Sequence, residues 1–118
     1  MKSTIIIPTY NEKENIKPLI QAIFNLGINN LGILIIDDNS PDQTSQAVKA
    51  IQNQYPDKLH LIVRSGKLGL GSAYVTGFKW ALANNADLAF EMDADGSHNP
   101  QDVPRMIQTI TNGPAQIV

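Results

Sequence analysis

Ile33-Leu34-Ile35-Ile36-Asp37-Asp38-Asn39-Ser40 runs from an unbroken apolar stretch straight into a polar, acidic one. Beyond it, Ala47, Val48, Ile51 and Tyr55 recur at helical spacing until Pro56. An apolar run without alternation predicts a strand buried on both faces, as in a parallel sheet covered by helices on each side. The same pattern repeats in both directions along the chain. Toward the N-terminus, Ile5-Ile6-Ile7 is a strand ended by Pro8, and Ile16, Leu19, Ile20, Ile23 and Phe24 follow at helical spacing, with Gly27 as a stop. Pro18 fits this helix if Asn15 caps it, because a first-turn residue has no intrahelical N–H bond to lose. Toward the C-terminus, Leu59 to Val63 is a third strand, and a turn with Gly66, Gly69 and Gly71 leads into a helix through Tyr74, Phe78 and Leu82. Leu88 to Met92 is a fourth strand, closed by Asp93-Ala94-Asp95. Pro100 suits the first turn of a helix carrying Val103, Met106, Ile107 and Ile110, and Ala115 to Val118 begins a fifth strand. With right-handed crossovers this is an α/β, doubly wound, mainly parallel sheet with helices on both faces, one domain over residues 1–118.

Composition narrows the function classes. A chain of 118 residues, 42% hydrophobic and 17% charged, is an ordinary globule with length enough for one core. The net charge of −2 and the scattered Lys and Arg argue against nucleic acid and against a polybasic membrane tether. Cysteine is absent, which excludes disulfides and thiolate metal sites and fits a reducing compartment. No stretch approaches the roughly 18 apolar residues of a membrane span, and the N-terminus lacks a signal-peptide apolar region. The expected location is cytoplasmic, with any membrane role peripheral, at the cytoplasmic face.

In open α/β sheets ligands bind at the carboxyl ends of the strands, and the polar residues gather there. Helix N-termini on the same edge suit a diphosphate. Asp93 and Asp95, two apart in extended chain, face one space, and oxygen ligands of that kind suit Mg²⁺ or Mn²⁺. The same residues also read as a solvated turn in which an Asp or Ser97 caps the next helix. Ser40 or Asp42 reads as a cap for the second helix. Asp38 adds nothing to capping beside Asp37, and its carboxylate can accept N–H bonds from a nucleobase. Tyr10 can stack on a base or simply pack. A dinucleotide fingerprint starting at Gly69 would need glycine where Tyr74 stands and would belong after the first strand, and no Gly-Lys-Ser/Thr completes a P-loop. The glycines are read as a tight turn packing the third helix close to the site, with Lys67 near the ligand. His60 and His98 form no metal-binding pair.

Four motifs occur in order: Ile7-Pro8-Thr9-Tyr10-Asn11-Glu12, Ile35-Ile36-Asp37-Asp38-Asn39-Ser40-Pro41-Asp42, Leu68-Gly69-Leu70-Gly71-Ser72-Ala73-Tyr74 and Met92-Asp93-Ala94-Asp95. Together they resemble the dolichol- or polyprenol-phosphate mannose synthase branch of the family 2 glycosyltransferases, from about residue 4 to the end. The resemblance implies a GT-A type fold and inverting transfer of mannose from GDP-mannose to a polyprenyl (dolichyl) phosphate at a membrane surface. It further implies that Pro8, Tyr10 and Glu12 line the nucleoside pocket and that Ile36 and Asp38 contact base and ribose. Asp93, Ala94 and Asp95 would hold the diphosphate and the metal, with Asp93 and Asp95 catalytic and Ser97 a further metal ligand. The acceptor phosphate is already an anion, so catalysis would rest on metal electrostatics and alignment rather than on a general base. Gln43 departs from the family, which usually has glycine after Pro-Asp, and is read as a turn variation. The family's catalytic domain continues well past residue 118, and its later Arg and Lys hold the sugar diphosphate and the acceptor. The chain is therefore expected to be a fragment whose incomplete sheet edge self-associates.

Three other readings stand beside this one: another family 2 transfer to a polyprenyl phosphate, a non-catalytic nucleotide-binding fragment, and a phosphoacceptor receiver module. A receiver carries its acidic pair after the first strand, its phosphoacceptor Asp after the third and a Lys after the fifth. Here the acidic pairs follow strands two and four, and no lysine follows Lys79.

Overall fold

In the computed structural model, which describes residues 2–66, 69–94, 100 and 103–104, strands and helices alternate strictly. They are β1 (Ser3–Thr9), α1 (Lys13–Phe24), β2 (Leu31–Asp37), α2 (Thr44–Gln52), β3 (Leu59–Val63), α3 (Leu70–Ala83) and β4 (Leu88–Glu91). The four strands form one sheet in the order β3-β2-β1-β4, every pairing parallel. Successive strand side chains point to opposite faces, and the core divides accordingly. Ile5, Ile7, Ile33 and Ile35 pack with Ile16, Ile20, Ile23, Val48 and Ile51 from α1 and α2. Ile6, Leu34 and Ile36 face Ala73 and Ala81 of α3 on the other side. The expected doubly wound α/β sheet is present. Its strand order also excludes the receiver reading, since doubly wound signalling modules of that type are ordered 2-1-3-4-5. Of the expected helix beyond Pro100, Val103 and Pro104 are described and are helical, Val103 buried in the core with α1 and α2; its other positions, the fifth strand at Ala115 to Val118 and the sheet edge they would complete lie outside the described residues.

Three local expectations are corrected. β1 does not stop at Pro8 but runs to Thr9. The Ile6 carbonyl faces β4, accepting from Met92 N–H at 3.0 Å, so Pro8, two residues on, turns its missing N–H to the same side. β4 pairs with β1 only as far as Ile6↔Glu91, so no ladder bond is lost there. Asn15 does not cap α1. That helix starts at Lys13, and Pro18 lies inside it, on an exposed face where water can reach the unpaired Glu14 carbonyl. In α3 the period was right and the phase was not. Ala73, Gly77 and Ala81 meet the sheet, while Tyr74 and Phe78 are half-buried and Leu82 is 62% exposed. A Cβ on Gly77 would lie 2.5 Å from Ile6 Cγ2, so the small residues allow an approach that bulky ones would block.

Candidate active site

β1 winds one way to α1 and β2, while β4 lies on its other flank, so the chain reverses direction between β1 and β4. Crevices at such points, outside the carboxyl ends of the strands, are where open α/β sheets hold ligands. A cleft of about 290 Å³ opens there, lined by Pro8, Thr9, Tyr10, Glu12, Asp38, Gly69, Leu70, Ala73, Asp93 and Ala94. It brings together Pro8, Tyr10, Glu12, Asp38, Asp93 and Ala94 of the residues expected at the site. Ile36 is not in the lining, because its side chain is fully buried against α3. Lys67, Asp95 and Ser97 lie outside the described residues. A larger hollow, about 990 Å³, sits at the opposite end of the sheet between Phe24, Tyr55, His60 and Trp80. None of the motif residues lines it.

The loops after β1 and β2 are locked to one another. The buried Asp37 carboxylate accepts from Thr9 Oγ1 at 2.7 Å, Ser40 N at 3.0 Å and Ser40 Oγ at 2.6 Å. Ser40 Oγ in turn accepts from Asn11 N at 2.9 Å, and Thr44 Oγ1 accepts from Glu12 N at 3.1 Å. Asp42 serves both helices: Oδ2 accepts from Lys13 N at 3.1 Å and Oδ1 from Thr44 N at 3.0 Å. Burial works to raise the Asp42 pKa, but the Thr44 hydroxyl, the two backbone N–H groups and the Lys13 charge outweigh it and hold the carboxyl below its ordinary value. The N-cap of α2 is Gln43, without a side-chain bond, rather than the expected Ser40 or Asp42; Asp42, one residue earlier, accepts from the first helical N–H, and Ser40 braces the loops. At the start of α1, the N–H groups of Asn11, Glu12 and Lys13, the last alone inside the helix, donate to Ser40, Thr44 and Asp42.

Two side chains that sequence reasoning passed over hold two of the three acidic residues of the cleft. Arg64 forks onto Asp38, with Nε 2.6 Å from Oδ1 and Nη2 2.9 Å from Oδ2. Tyr74 donates its hydroxyl to Asp93 Oδ1 at 3.0 Å. Arg64 follows β3 directly, so its place at a strand's carboxyl end was the available signal. Among the described residues no helix is long and apolar enough to cross a membrane.

The model of glycosyl transferase family 2 matches residues 4–118. The chain belongs to that family. This glycosyl transferase family 2 chain is 40% identical over 112 residues to the polyprenol monophosphomannose synthase of Mycolicibacterium smegmatis, covering 95% of this chain and 42% of that protein. It is 42% identical over 115 residues to the dolichol-phosphate mannosyltransferase of Pyrococcus furiosus, covering 96% of this chain and 31% of the relative. Its fold matches that of a mannosyltransferase from Pyrobaculum calidifontis, solved in complex with GDP-Man and Mn²⁺, with a TM-score of 0.79 and 25% identity. That match covers 96% of this chain and 33% of the other. The family 2 chain thus spans less than half the length of these relatives.

Proposed function

We propose that this chain forms the donor-binding part of a transferase that moves mannose from GDP-mannose to a polyprenyl (dolichyl) phosphate with inversion. The observation that carries the reading is the cleft, where the ends of β1, β2 and β4 gather Tyr10, Glu12, Asp38 and Asp93 around one hollow. In this reading Tyr10, half-exposed at the rim, stacks on the base, Asp38 accepts its N–H groups, and Pro8 and Glu12 shape the nucleoside pocket. The names of the mycobacterial and archaeal relatives support the polyprenyl phosphate acceptor, and the GDP-Man complex of the structural relative supports the donor. Transfer to a lipid-linked phosphate places the acceptor at a membrane surface, with the protein peripheral to it.

Among the described residues no three acidic or histidine side chains cluster as a metal cage. The Asp93 carboxylate at the cleft nonetheless offers the hard oxygen donors that Mg²⁺ or Mn²⁺ take, and the Mn²⁺ of the structural relative agrees with that chemistry. Asp93, Asp95 and Ser97 would hold the ion, which when bound would offset charge on the departing diphosphate. The chain's own groups then orient the donor: Tyr74 steadies Asp93, and the locked loops keep Tyr10 and Asp38 on the cleft wall.

Titration calorimetry of the chain with GDP, with and without Mn²⁺, tests the donor half of the reading. Tighter binding with Mn²⁺, lost in Asp95→Ala, is expected. Equal affinity in both conditions would remove the metal, and absence of GDP binding would remove the donor.

A further inference from the structure

Tyr10 is the first residue past β1, and it stands between two residues that the end of β2 and its loop hold in place. On one side, Thr9 Oγ1 donates to Asp37 Oδ1 at 2.7 Å, and the Thr9 carbonyl accepts from Asp38 N at 3.1 Å. On the other, Asn11 N donates to Ser40 Oγ at 2.9 Å, and Ser40 Oγ donates to the same Asp37 Oδ1 at 2.6 Å. A carboxylate only accepts, so both hydroxyl protons point to Asp37. The single proton of Ser40 is thereby committed, and its oxygen meets the Asn11 N–H as an acceptor. Asp37 and Ser40 are both buried, and neither lines the cleft, whereas Pro8, Thr9, Tyr10 and Glu12 all do. Asn11 is at φ +57°, so the chain turns as it leaves Tyr10.

We infer that Ser40 is a positioning residue for nucleoside binding: with Asp37 behind it, it fixes the turn that presents the Tyr10 ring to the base. The inference rests on the reading that Tyr10 stacks on the base of a nucleotide in the cleft. A ring on a rim loop that has to be ordered at the moment of binding loses part of its contact energy to that ordering. Here the order is in place beforehand, because the bonds from Thr9 and Asn11 lead to one buried carboxylate oxygen. The far side of the turn depends on the Ser40 hydroxyl. Without it the N–H of Asn11, an exposed residue, turns to water, and Asn11 keeps the long bond that its Oδ1 accepts from Asp42 N at 3.4 Å. Glu12 and Lys13 stay tied to Thr44 and Asp42, so α1 keeps its start and the loosening is confined to Tyr10 and Asn11.

A double-mutant cycle, read by calorimetric titration with GDP in Mn²⁺, tests this in the wild type, Ser40→Ala, Tyr10→Ala and the double variant. Ser40→Ala should fold, since Asp37 keeps its donors from Thr9 Oγ1 and from the backbone N–H of residue 40. It should weaken GDP binding about fivefold with Tyr10 in place, the scale of one neutral hydrogen bond, and less than about twofold in the Tyr10→Ala background. A merely structural Ser40 costs the same factor in both backgrounds. Equal losses, or no loss in either, therefore overturn the inference alone and leave the donor reading standing. If Ser40→Ala does not fold, Ser40→Cys, which keeps the volume and offers only a weak acceptor, goes through the same cycle, and equal losses there overturn the inference. Tyr10→Ala binding GDP as tightly as the wild type removes the stacking reading and this inference with it. Failure of the wild type to bind GDP overturns the donor reading and this inference together.

Discussion

Asp42 illustrates how single residues tune this edge of the sheet. Its two oxygens serve the first N–H groups of α1 and α2, beside the bond from Glu12 N to Thr44 Oγ1 that also joins the two helix starts. Losing side-chain acceptors at helix starts costs about 1 kcal/mol, so Asp42→Ala should lower the urea midpoint at neutral pH. The pH dependence follows from the lowered pKa. The unfolded carboxyl takes up its proton first, at about 3.9, so the stabilisation is fully present above that value and is lost as pH falls through the lower folded value. Urea melts of wild type and variant should converge in strong acid, and a gap that stays constant with pH would show that the charge is irrelevant. The neighbour Gln43 sits at φ +69°, the left-handed region. The other non-glycine residues with positive φ among the described residues are Asn or Asp, which adopt it at less cost than Gln. The glycine usual in the family at this place now has a backbone reason, and Gln43→Gly should stabilise the chain by about 1 kcal/mol in the same assay. Asp38 is a different case. Its buried pairing with Arg64 means that Asp38→Ala would strand a guanidinium and cost stability as well as binding, so Asp38→Asn is the cleaner probe of the pocket.

At the scale of elements, the strands and helices were legible in the sequence because unbroken apolar runs and helical periods are long-range features of composition. The phase of α3 was not. Hydrophobicity favours Tyr74, Phe78 and Leu82 for the core, but Gly77 admits the helix to within touching distance of Ile6, and van der Waals contact over a close seam wins. Gly77→Ala should therefore destabilise the fold by about 1–3 kcal/mol, since its methyl would press on Ile6 Cγ2 and on Ile36 Cδ1 at 3.1 Å. Thermal unfolding checks this, and a neutral result would mean that α3 shifts freely on the sheet. The site shows the same division. Pro8, Tyr10, Glu12, Asp38 and Asp93 were readable because they close strands 1, 2 and 4 in short motifs. Arg64 and Tyr74 were not, because their meaning lies in partners 26 and 19 residues away. Nor could local pattern show that Glu12 N and Lys13 N, at the start of α1, donate to Thr44 and Asp42 beyond β2.

The whole molecule converts this arrangement into a prediction about ligand and stability together. The cleft is bounded by the ends of β1, β2 and β4 and by the first turn of α3, elements that otherwise meet mainly through the sheet. A nucleotide held there bridges parts from residue 8 to residue 94, so its binding free energy is added to the stability of the folded chain. At a free concentration about a hundred times its dissociation constant, a ligand specific to the folded state adds about 2.7 kcal/mol. For a domain of this size that raises the thermal midpoint by about 10 °C. GDP with Mn²⁺ should produce such a shift, and Asp93→Asn should remove the part that depends on Mn²⁺. The large hollow at the opposite end supplies the control. It carries the stacked pair Phe24 and Tyr55, with ring centroids 4.3 Å apart, and no residue of the four motifs. Tyr55→Phe keeps that stack and should leave the GDP shift unchanged, whatever it does to the baseline midpoint. A shift lost in Tyr55→Phe and retained in Asp93→Asn would move the nucleotide to the wrong end of the sheet and end the donor reading at the β1–β4 crevice.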